Sequence, residues 1–492
     1  MPAKGSTGRI ATQQTLDQAL EPVNSRARLG QDAVKQKHDG MKADRAGFNK
    51  KPIPSPDKLW HSPPFAMAGG EPMRPRRRDR RVLIYSHDSF GLGHLRRCRE
   101  IAHALVGAEK RLSVLILSGS PIIGSFDFRA RVDFVRVPGV IKLRNGDYTS
   151  LKLYIDVEQT LAMRMSILEH TAKIYDPDIF IVDKEPLGLR GEVETTLAHM
   201  KSIGTPCILG LRDVMDDPDL LAQEWERKQV VPALQKYYDD IWVYGLPQIC
   251  DPLAGIDIPP SVRKKLTYTG YLNRTLPTTA VKPKLEKISG DYLLITAGGG
   301  GDGEEIIDWA LRAYETDPML PYPGLFVLGP FMNGEAQADF LKRVSQLPNA
   351  EAITFDSHIE TLLDGAVGVV CMGGYNTFCE ILSFDKRALV VPRTQPRKEQ
   401  FIRASRAQNL GLVRMLIDDG VRDAKTMATA LRGLPQQPLP SETVVPGLLD
   451  GNGNVVKLAR KWWRRRRQAL HVAQSTDTER EAGAVLDQRK PL

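Results

Sequence analysis

The sequence predicts an α/β protein built from two Rossmann-like, doubly wound lobes that face a common cleft. Two observations carry this prediction. Short apolar and β-branched runs alternate with helical stretches along most of the chain, which is typical of a mostly parallel sheet. Two of these runs lead directly into glycine-rich turns, near residues 86–94 and 296–303. A strand, a glycine turn and a helix leave backbone N–H groups free at the helix start, where an anion or polar ligand can bind.

The elements of the first lobe follow from this alternation. Apolar runs predict its strands, and the stretches between them fit helices. The predicted strands are residues 82–86, 113–118, 133–137, 179–183, 207–211 and 241–244, and the predicted helices include 93–107, 158–174 and 190–202.

A second βα series follows a stretch rich in Thr, Pro and Lys, which predicts an interdomain linker. Its predicted strands are residues 292–296, 325–329, 352–355, 367–371 and 388–391, and its predicted helices are 303–315, 335–346, 358–364, 375–383, 398–409 and 421–432.

The two ends of the chain differ from the lobes in composition. Residues 1–80 are polar, punctuated by proline and without sustained periodicity, so we expect a disordered extension. The resulting domain prediction is a first lobe at 81–275, a linker at 276–290, a second lobe at 291–453, a basic helix at 454–472 and a disordered tail at 473–492.

Composition limits the class of protein. No apolar run approaches the roughly 18 residues of a membrane span, and the N-terminus lacks the apolar segment of a signal peptide. The five cysteines are scattered without a CxxC pair, so neither a zinc site nor a disulfide framework is indicated. We therefore expect a cytoplasmic protein.

The formal net charge of +9 is concentrated in two basic runs, residues 74–81 and 461–467. One interpretation is solvated termini, and the other is contact with an anionic surface. Trp462 and Trp463 beside four arginines favour a membrane interface, which would make the protein peripheral on the inner face of the membrane. No nucleic-acid motif accompanies the charge, so no nucleic-acid partner is expected.

The first glycine turn is a poor dinucleotide site. Gly91 and Gly93 are followed by Arg96 where that fingerprint has its third glycine, and no acidic residue ends the next strand. His94 stands at the helix start, where the helix dipole disfavours a charged imidazole. A neutral imidazole there could accept a proton from a hydroxyl. The alternative is a tight turn without a ligand.

Charged residues also follow two other strands of the first lobe. Asp183, Glu185, Arg212 and Asp213 come at the carboxyl ends of predicted strands, the edge where open α/β sheets bind ligands. For any one of them, a helix cap or a loop salt bridge is the alternative.

The strongest local motif is in the second lobe. A strand ends at Gly373 and Gly374, and a helix opens with Asn376 and Thr377, so its amides can meet a diphosphate. Glu380 falls one turn later, where a carboxylate could accept both hydroxyls of a ribose; a surface Glu–Lys pair is the alternative.

These motifs resemble the two-domain nucleotide-sugar glycosyltransferases of the GT-B fold. The similarity is greatest to the MurG-like group (glycosyltransferase family 28 type), and within it to bacterial predicted glycosyltransferases of unassigned substrate. It covers about residues 81–470. The resemblance implies transfer of a hexose or N-acetylhexosamine from a nucleotide sugar, with a UDP-sugar as the expected donor, to a hydroxyl of a glycan, lipid-linked or small-molecule acceptor. No cofactor beyond that donor is implied.

The resemblance also implies roles for individual residues. Gly91, Gly93 and His94 match the family's G-x-G-H loop, which lies near the diphosphate and the reaction centre. From the residues themselves, His94 is our first choice of catalytic base and Asp183 the second. Arg393 and Arg397 stand where relatives often have His or Asn, so they could assist the leaving diphosphate or recognise an acidic sugar. The donor-binding set is Gly91, Gly93, Gly298, Gly299, Gly300, Gly373, Gly374, Asn376, Thr377, Glu380, Arg393, Arg397, Glu399 and Gln400.

No metal site is expected. The acidic stretch at residues 216–219 reads as a loop and helix cap rather than a metal-binding DxD motif, so we expect metal-independent transfer. Two rival functions stay open: a nucleotide-sugar 2-epimerase, which shares the architecture, and a non-catalytic nucleotide-sugar-binding scaffold.

Overall fold

The computed structural model describes residues 79–88, 92–142, 148–276, 285–299, 301–466 and 468. Several sequence predictions lie outside these described residues: the N-terminal extension, Gly91, Gly300, the middle of the linker and the tail beyond residue 468.

The first lobe contains a parallel sheet of seven strands within the described residues, in the order β3-β2-β1-β6-β7-β8-β9. A separate antiparallel pair, β4 and β5, lies outside this sheet. The strands are β1 (Arg80–Ser86), β2 (Leu112–Ser118), β3 (Val132–Arg136), β4 (Val140–Lys142), β5 (Tyr148–Ser150), β6 (Ile179–Asp183), β7 (Cys207–Arg212), β8 (Asp240–Tyr244) and β9 (Leu266–Tyr268).

Helices connect these strands. Because they cover the sheet, the central strands are buried on both faces and read as continuous apolar runs, as in residues 82–85 and 179–182. The helices are α1 (Gly93–Ala108), α2 (Val157–Tyr175), α3 (Glu194–Ser202), α4 (Pro218–Arg227), α5 (Val230–Tyr237) and α6 (Pro260–Arg263).

The second lobe repeats the plan with six parallel strands among the described residues, in the order β12-β11-β10-β13-β14-β15. Its strands are β10 (Leu293–Thr296), β11 (Gly324–Val327), β12 (Ala350–Ile353), β13 (Gly368–Cys371), β14 (Arg387–Val390) and β15 (Arg414–Met415). Its helices are α7 (Glu304–Thr316), α8 (Gly334–Ser345), α9 (Ile359–Gly365), α10 (Tyr375–Ser383), α11 (Glu399–Asn409) and α12 (Ala424–Gly433).

The predicted strands all form, each with boundaries within a few residues of those expected. The sequence did not reveal β4, β5, β9 and β15, nor helices α4 to α6. These strands have two or three residues each, too few to show a period, and α6 has four. The two-lobed α/β architecture is confirmed.

The C-terminal helix, α13 over residues 451–466, packs on the first lobe. Trp463 is buried, with the Arg80 guanidinium 4.7 Å from its ring centre. The Trp462 indole N–H donates to Asp240 on β8 at 3.0 Å. Both tryptophans are therefore used inside the fold, which removes the argument that they mark a membrane interface. Among the described residues, none of the helices is both long and apolar enough to span a bilayer.

Buried polar contacts join the two lobes. Arg403 of α11 donates two hydrogen bonds to the carboxylate of Asp213, at 2.6 and 2.7 Å, and Tyr271 donates a third at 2.7 Å. All three side chains are almost completely buried. The chain at the end of the first lobe, around residues 269–274, is thus part of the core.

Candidate functional site

A cavity of about 260 Å³ lies between the lobes. The loops that follow β1, β7, β10, β13 and β14 line it, so it lies at the carboxyl ends of both sheets, beside the points where strand order reverses. Most of the predicted residues meet here: Gly93, His94, Gly298, Gly299, Gly374, Asn376, Thr377, Glu380, Arg393, Glu399 and Gln400. Asp183, Gly373 and Arg397 are not part of this lining.

His94 and Asp183 form a dyad. The Nδ1 atom of His94 lies 2.5 Å from the Oδ2 atom of Asp183. Arg97, one turn further along α1, donates to both oxygens of Asp183 at 2.6 and 2.7 Å. Asp183 is buried behind His94, so its geometry is that of a residue that orients the imidazole and not that of the base itself.

This contact sets the tautomer of His94. The Arg97 guanidinium holds the pKa of Asp183 well below its usual range, which makes Asp183 an ionised acceptor. The His94 Nδ1 atom must then carry the proton that Asp183 accepts, although Arg97 also lies 3.2 Å away, because a guanidinium has no acceptor. The Nε2 atom of His94 is left as the free proton acceptor.

Burial keeps the His94 imidazole neutral. Desolvation is the main cause that lowers its pKa to about 4, against the opposing pull of Asp183. The sequence-based expectation of a neutral imidazole therefore agrees with the structure, but burial is the main cause.

The neighbouring polar side chains are structural. Asp88 accepts hydrogen bonds from Ser86 and Ser118 at 2.6 Å each, and from the backbone N–H of Leu95 at 3.1 Å. These contacts fix the start of α1 and so the direction in which His94 points. His87 is half-buried beside the dyad, with its ring centre 5.6 Å from that of His94.

The other strand-end charges are divided between structure and site. Asp213 belongs to the buried pair between the lobes, and Glu185 lies 3.2 Å from Lys184 and 3.0 Å from Lys228. Arg212 alone of this group lines the cavity. The sequence did not assign it a role, because nothing in the local pattern distinguishes it from its charged neighbours.

The turn before α10 presents free amides to the cavity. Gly373 has a φ of +74°, and a Cβ there would lie 2.6 Å from Val390, so the tight turn requires glycine. Helix α10 begins after Gly374, and no side chain of the described residues caps its N-terminus. Its first N–H groups and the helix dipole are therefore available to an anion.

Asn376, in the first turn of α10, bridges the lobes with its side chain. Its amide nitrogen donates to the carbonyl of Gly93 at 3.0 Å, and its oxygen accepts from Arg274 at 2.8 Å. Asn376 thus fixes the α10 N-terminus against the start of α1, and any contact with a diphosphate would come from the backbone here.

Glu380 is buried and carries an ion pair across the cleft. Arg96 of α1 donates to Glu380 at 2.5 Å and to Glu360 at 2.9 Å. Burial, together with the second carboxylate, raises the pKa of Glu380 to about 7 in spite of Arg96. This is not the surface Glu–Lys pair considered as the alternative. For Glu380 to bind a ribose, the hydroxyls must share or replace its contact with Arg96.

Arg393, Glu399 and Gln400 form a second polar group in the cavity. Arg393 pairs with Glu399 at 2.6 Å and with Asp302, and its backbone N–H donates to Gln400 at 3.1 Å. The second oxygen of Glu399 is enclosed without a hydrogen-bond partner among the described residues. It is therefore an acceptor available to a hydroxyl in the cavity.

Arg397 points elsewhere. It lies 3.7 Å from both Asp216 and Glu224 of the first lobe, and Lys398 beside it contacts Asp217 at 2.9 Å. Asp217 also caps α4 by accepting from Asp219. The acidic stretch at residues 216–219 thus contains a helix cap, as predicted from the sequence. It also forms a contact between the lobes that the sequence did not reveal. Across the described part of the chain, no cluster of three or more His, Cys, Asp or Glu side chains suited to a metal ion occurs.

The opposite end of the cavity is apolar. Phe126 of the first lobe meets Phe355 of the second edge to face, with ring centres 6.4 Å apart. Val327, Ile359 and Leu363 complete this end. The face of a flat ring can pack against such side chains.

Comparison with known proteins gives structural similarity only. No protein-family model matches the chain, and no curated protein matches it. Among solved structures, the glycotransferase of kitacinnamycin superposes with a TM-score of 0.54 at 15% identity, covering 79% of this chain and 99% of that one. TcCGT1 in complex with UDP gives a TM-score of 0.55 at 13% identity, covering 78% and 99%.

A plant protein extends the comparison. Phytolacca americana UGT2, complexed with UDP-2fluoro-glucose and pterostilbene, gives a TM-score of 0.51 at 14% identity, covering 78% of this chain and 99% of that one. At these identities the similarity establishes the architecture. The fold implied by the resemblance is therefore confirmed: two Rossmann-like lobes around one cleft, with a C-terminal helix returning to the first lobe, form the GT-B fold.

Proposed function

We propose that the chain is a glycosyltransferase that moves a hexose or N-acetylhexosamine from a nucleotide sugar, with UDP as the preferred nucleotide, to an acceptor hydroxyl. One observation carries the proposal: the His94–Asp183 dyad and the uncapped N-terminus of α10 line or support the same cavity. A proton acceptor and an anion site facing each other are what transfer from a nucleoside diphosphate requires.

The donor has a consistent orientation in this cavity. The apolar end around Phe355 takes the base, Glu380 takes the ribose, and the amides of α10 take the diphosphate. Glu399 and Gln400 then face the sugar, near His94. The similar structures that hold UDP and a UDP-sugar analogue support a uridine nucleotide.

The chemistry follows from the tautomer of His94. The acceptor oxygen attacks the anomeric carbon while its proton passes to the Nε2 atom of His94. The bond between that carbon and the diphosphate oxygen breaks, and its electron pair leaves with the diphosphate. Asp183 stabilises the imidazolium that forms, and the α10 amides stabilise the departing anion. Only side-chain and backbone groups act in this scheme, so we expect no metal or other cofactor.

A ligand screen followed by kinetics tests the proposal. UDP, GDP, TDP and CDP, each with its glucose and N-acetylglucosamine derivatives where available, are added to the full chain in thermal unfolding. A true donor nucleotide at about 100 times its dissociation constant stabilises the fold by about 2.7 kcal/mol. Failure of all of them to shift the midpoint would overturn the proposal.

The donor found in this way is then incubated with a panel of hydroxyl acceptors and, separately, alone. His94→Ala should lower the transfer rate by about 10²–10⁴-fold while the thermal shift from the donor persists. Transfer at the wild-type rate in this variant would remove His94 from the mechanism. Epimer formed from donor alone would instead identify a 2-epimerase, and binding without any turnover would identify a scaffold.

A further inference from the structure

Of the described arginines that line the cavity, one forms no ion pair with a described carboxylate. Three other arginines that line it are paired: Arg96 with Glu380 and Glu360, Arg97 with Asp183, and Arg393 with Glu399 and Asp302. Among the described residues, Arg212 has no carboxylate within 4.0 Å, the limit of an ion pair, so its positive charge is open to a ligand.

The Arg212 side chain is also poorly hydrogen-bonded. Its Nη2 atom makes a long contact of 3.5 Å with the carbonyl of Met215, and its Nε atom is enclosed without a partner in the described structure. An enclosed N–H group without an acceptor costs free energy, and a ligand oxygen would recover it.

Two other arginines lie near the same part of the cavity and act on the charge of Arg212. Arg97 and Arg403 lie against the ring of Tyr375, the first residue of α10, at 5.4 and 5.9 Å from its centre. Burial lowers the pKa of Arg212 to about 10, and the positive charges of these two arginines add to the effect against the attraction of Glu399. Arg212 lines the same cavity as Gly374 at the α10 turn and as Glu399, the groups to which the proposed function assigns the diphosphate and the sugar of a donor.

We propose that Arg212 binds the donor's diphosphate and neutralises the charge that develops on it as the sugar leaves. This inference rests on the proposed function. It assigns to a first-lobe residue, at the end of β7, a role in holding a ligand whose other contacts are in the second lobe. A bound diphosphate would then join the lobes directly.

The proposal changes the expected source of positive charge. The resemblance described in the sequence analysis pointed to Arg393 and Arg397 for the leaving group. Arg393 is committed to two carboxylates, and Arg397 lies outside the cavity lining. On this proposal, the cation that neutralises the leaving diphosphate is contributed by the opposite lobe.

Calorimetric titration of the full chain with uridine, UMP and UDP tests this assignment, or with the corresponding series if the screen selects another base. Arg212→Met should weaken binding of the diphosphate by about 10- to 100-fold, the effect of losing a charge-assisted hydrogen bond. Uridine binding should stay unchanged. The UDP affinity of Arg212→Lys should lie between those of the wild type and Arg212→Met, because lysine keeps the positive charge but lacks the forked guanidinium.

The matched control is Arg227→Met, which removes an exposed arginine of the same lobe and should bind UDP like the wild type. Thermal unfolding of every variant without ligand confirms that it is folded, and Arg212→Gln replaces Arg212→Met if the latter does not fold. In turnover, loss at Arg212 should lower kcat as well as donor affinity.

Equal UDP affinity in wild type and Arg212→Met would overturn the assignment while leaving the proposed function intact. An equal loss of affinity for uridine and UDP would also overturn it, since that indicates a distorted site. If the wild type binds no nucleoside diphosphate at all, the proposed function fails and this inference fails with it.

Discussion

His94 shows how much of a residue's chemistry depends on its surroundings. A histidine at a helix start already has a disfavoured charged form. The structure adds burial, which lowers its pKa to about 4, and a hydrogen bond to Asp183 that places the proton on Nδ1. The first effect keeps the imidazole neutral, and the second makes Nε2 the atom that accepts a proton.

The low pKa of His94 predicts an unusual pH profile. Protonation inactivates a general base, so kcat/KM for transfer should stay high below pH 6.5 and decline only near pH about 4. As the pH falls from 6.5 to about 4, the folded state also loses stability, because the histidine of the unfolded chain binds a proton that the buried histidine does not. Circular dichroism at each pH separates the two effects. Because the pKa of Glu380 is raised to about 7, the profile is also measured in Glu380→Gln, and an acidic limb near pH 6.5 that persists in this folded variant would contradict the assignment.

Asp183→Asn provides the matched variant for this experiment. Asparagine can donate to Nδ1 through its amide, which favours the proton on Nε2 and removes the acceptor that the reaction needs. Transfer should decline by at least about 10²-fold with donor binding retained. Full activity in this variant would show that the dyad does not set the tautomer.

At the scale of elements, helix α13 is the clearest case of a local pattern with two readings. A basic helix with two tryptophans is typical of a membrane-surface segment, and the same pattern suits a helix that packs on a lobe by its apolar side. Trp463 is buried with Arg80 over its ring, and Arg460 pairs with Glu109 at 2.7 Å. Whether such a helix binds a membrane surface or packs on a lobe depends on the surface it meets, and its own sequence does not specify that surface.

Removing the buried ring should therefore destabilise the first lobe. Trp463→Ala leaves a cavity and removes the ring against which Arg80 packs. The free energy of unfolding should fall by about 3–5 kcal/mol. The nearby Arg464→Ala, at an exposed position of the same helix, should change stability by less than about 0.5 kcal/mol. Urea unfolding of both variants measures the difference, and similar midpoints for the two would show that α13 does not support the lobe.

At the scale of the whole molecule, the lobes are held by charges that are almost fully buried. Asp213 and Arg403 come from opposite lobes and each satisfies the other, with Tyr271 as a third partner. A buried pair of this kind fixes a specific arrangement more than it adds stability, because its desolvation offsets much of its attraction. Asn376 and Arg96 add further polar contacts across the same cleft.

Breaking this pair from one side should be costly. Asp213→Asn leaves the Arg403 guanidinium buried without a counter-charge, and we expect a loss of about 3–5 kcal/mol. The double replacement Asp213→Leu with Arg403→Met removes both charges and should lose less. Urea midpoints for the single and double variants decide the matter: a double variant that is less stable than the single one would mean that packing, not charge, holds the lobes here.

The sequence by itself determined the two-lobed α/β fold, the order of most strands and helices along the chain, and most of the residues that meet in the cleft. It could do so because parallel strands buried on both faces read as apolar runs, and because glycine turns and polar residues mark their carboxyl ends. Those signals depend only on residues that are neighbours in the sequence, so they can be recognised without the structure.

Only the tertiary structure decided what each side chain faces. It placed Arg96 on Glu380, gave Asn376 and Asp213 to the contact between lobes, turned Arg397 away from the cavity and left Arg212 in the cavity lining without an ion pair to any described residue. The two partners in each of these contacts lie about 180 or more residues apart along the chain. Arg212 differs from the other arginines of the cavity only in having no nearby carboxylate of the described residues left to pair with. Charge compensation is a property of the assembled cleft, so no local pattern could have separated Arg212 from the other arginines.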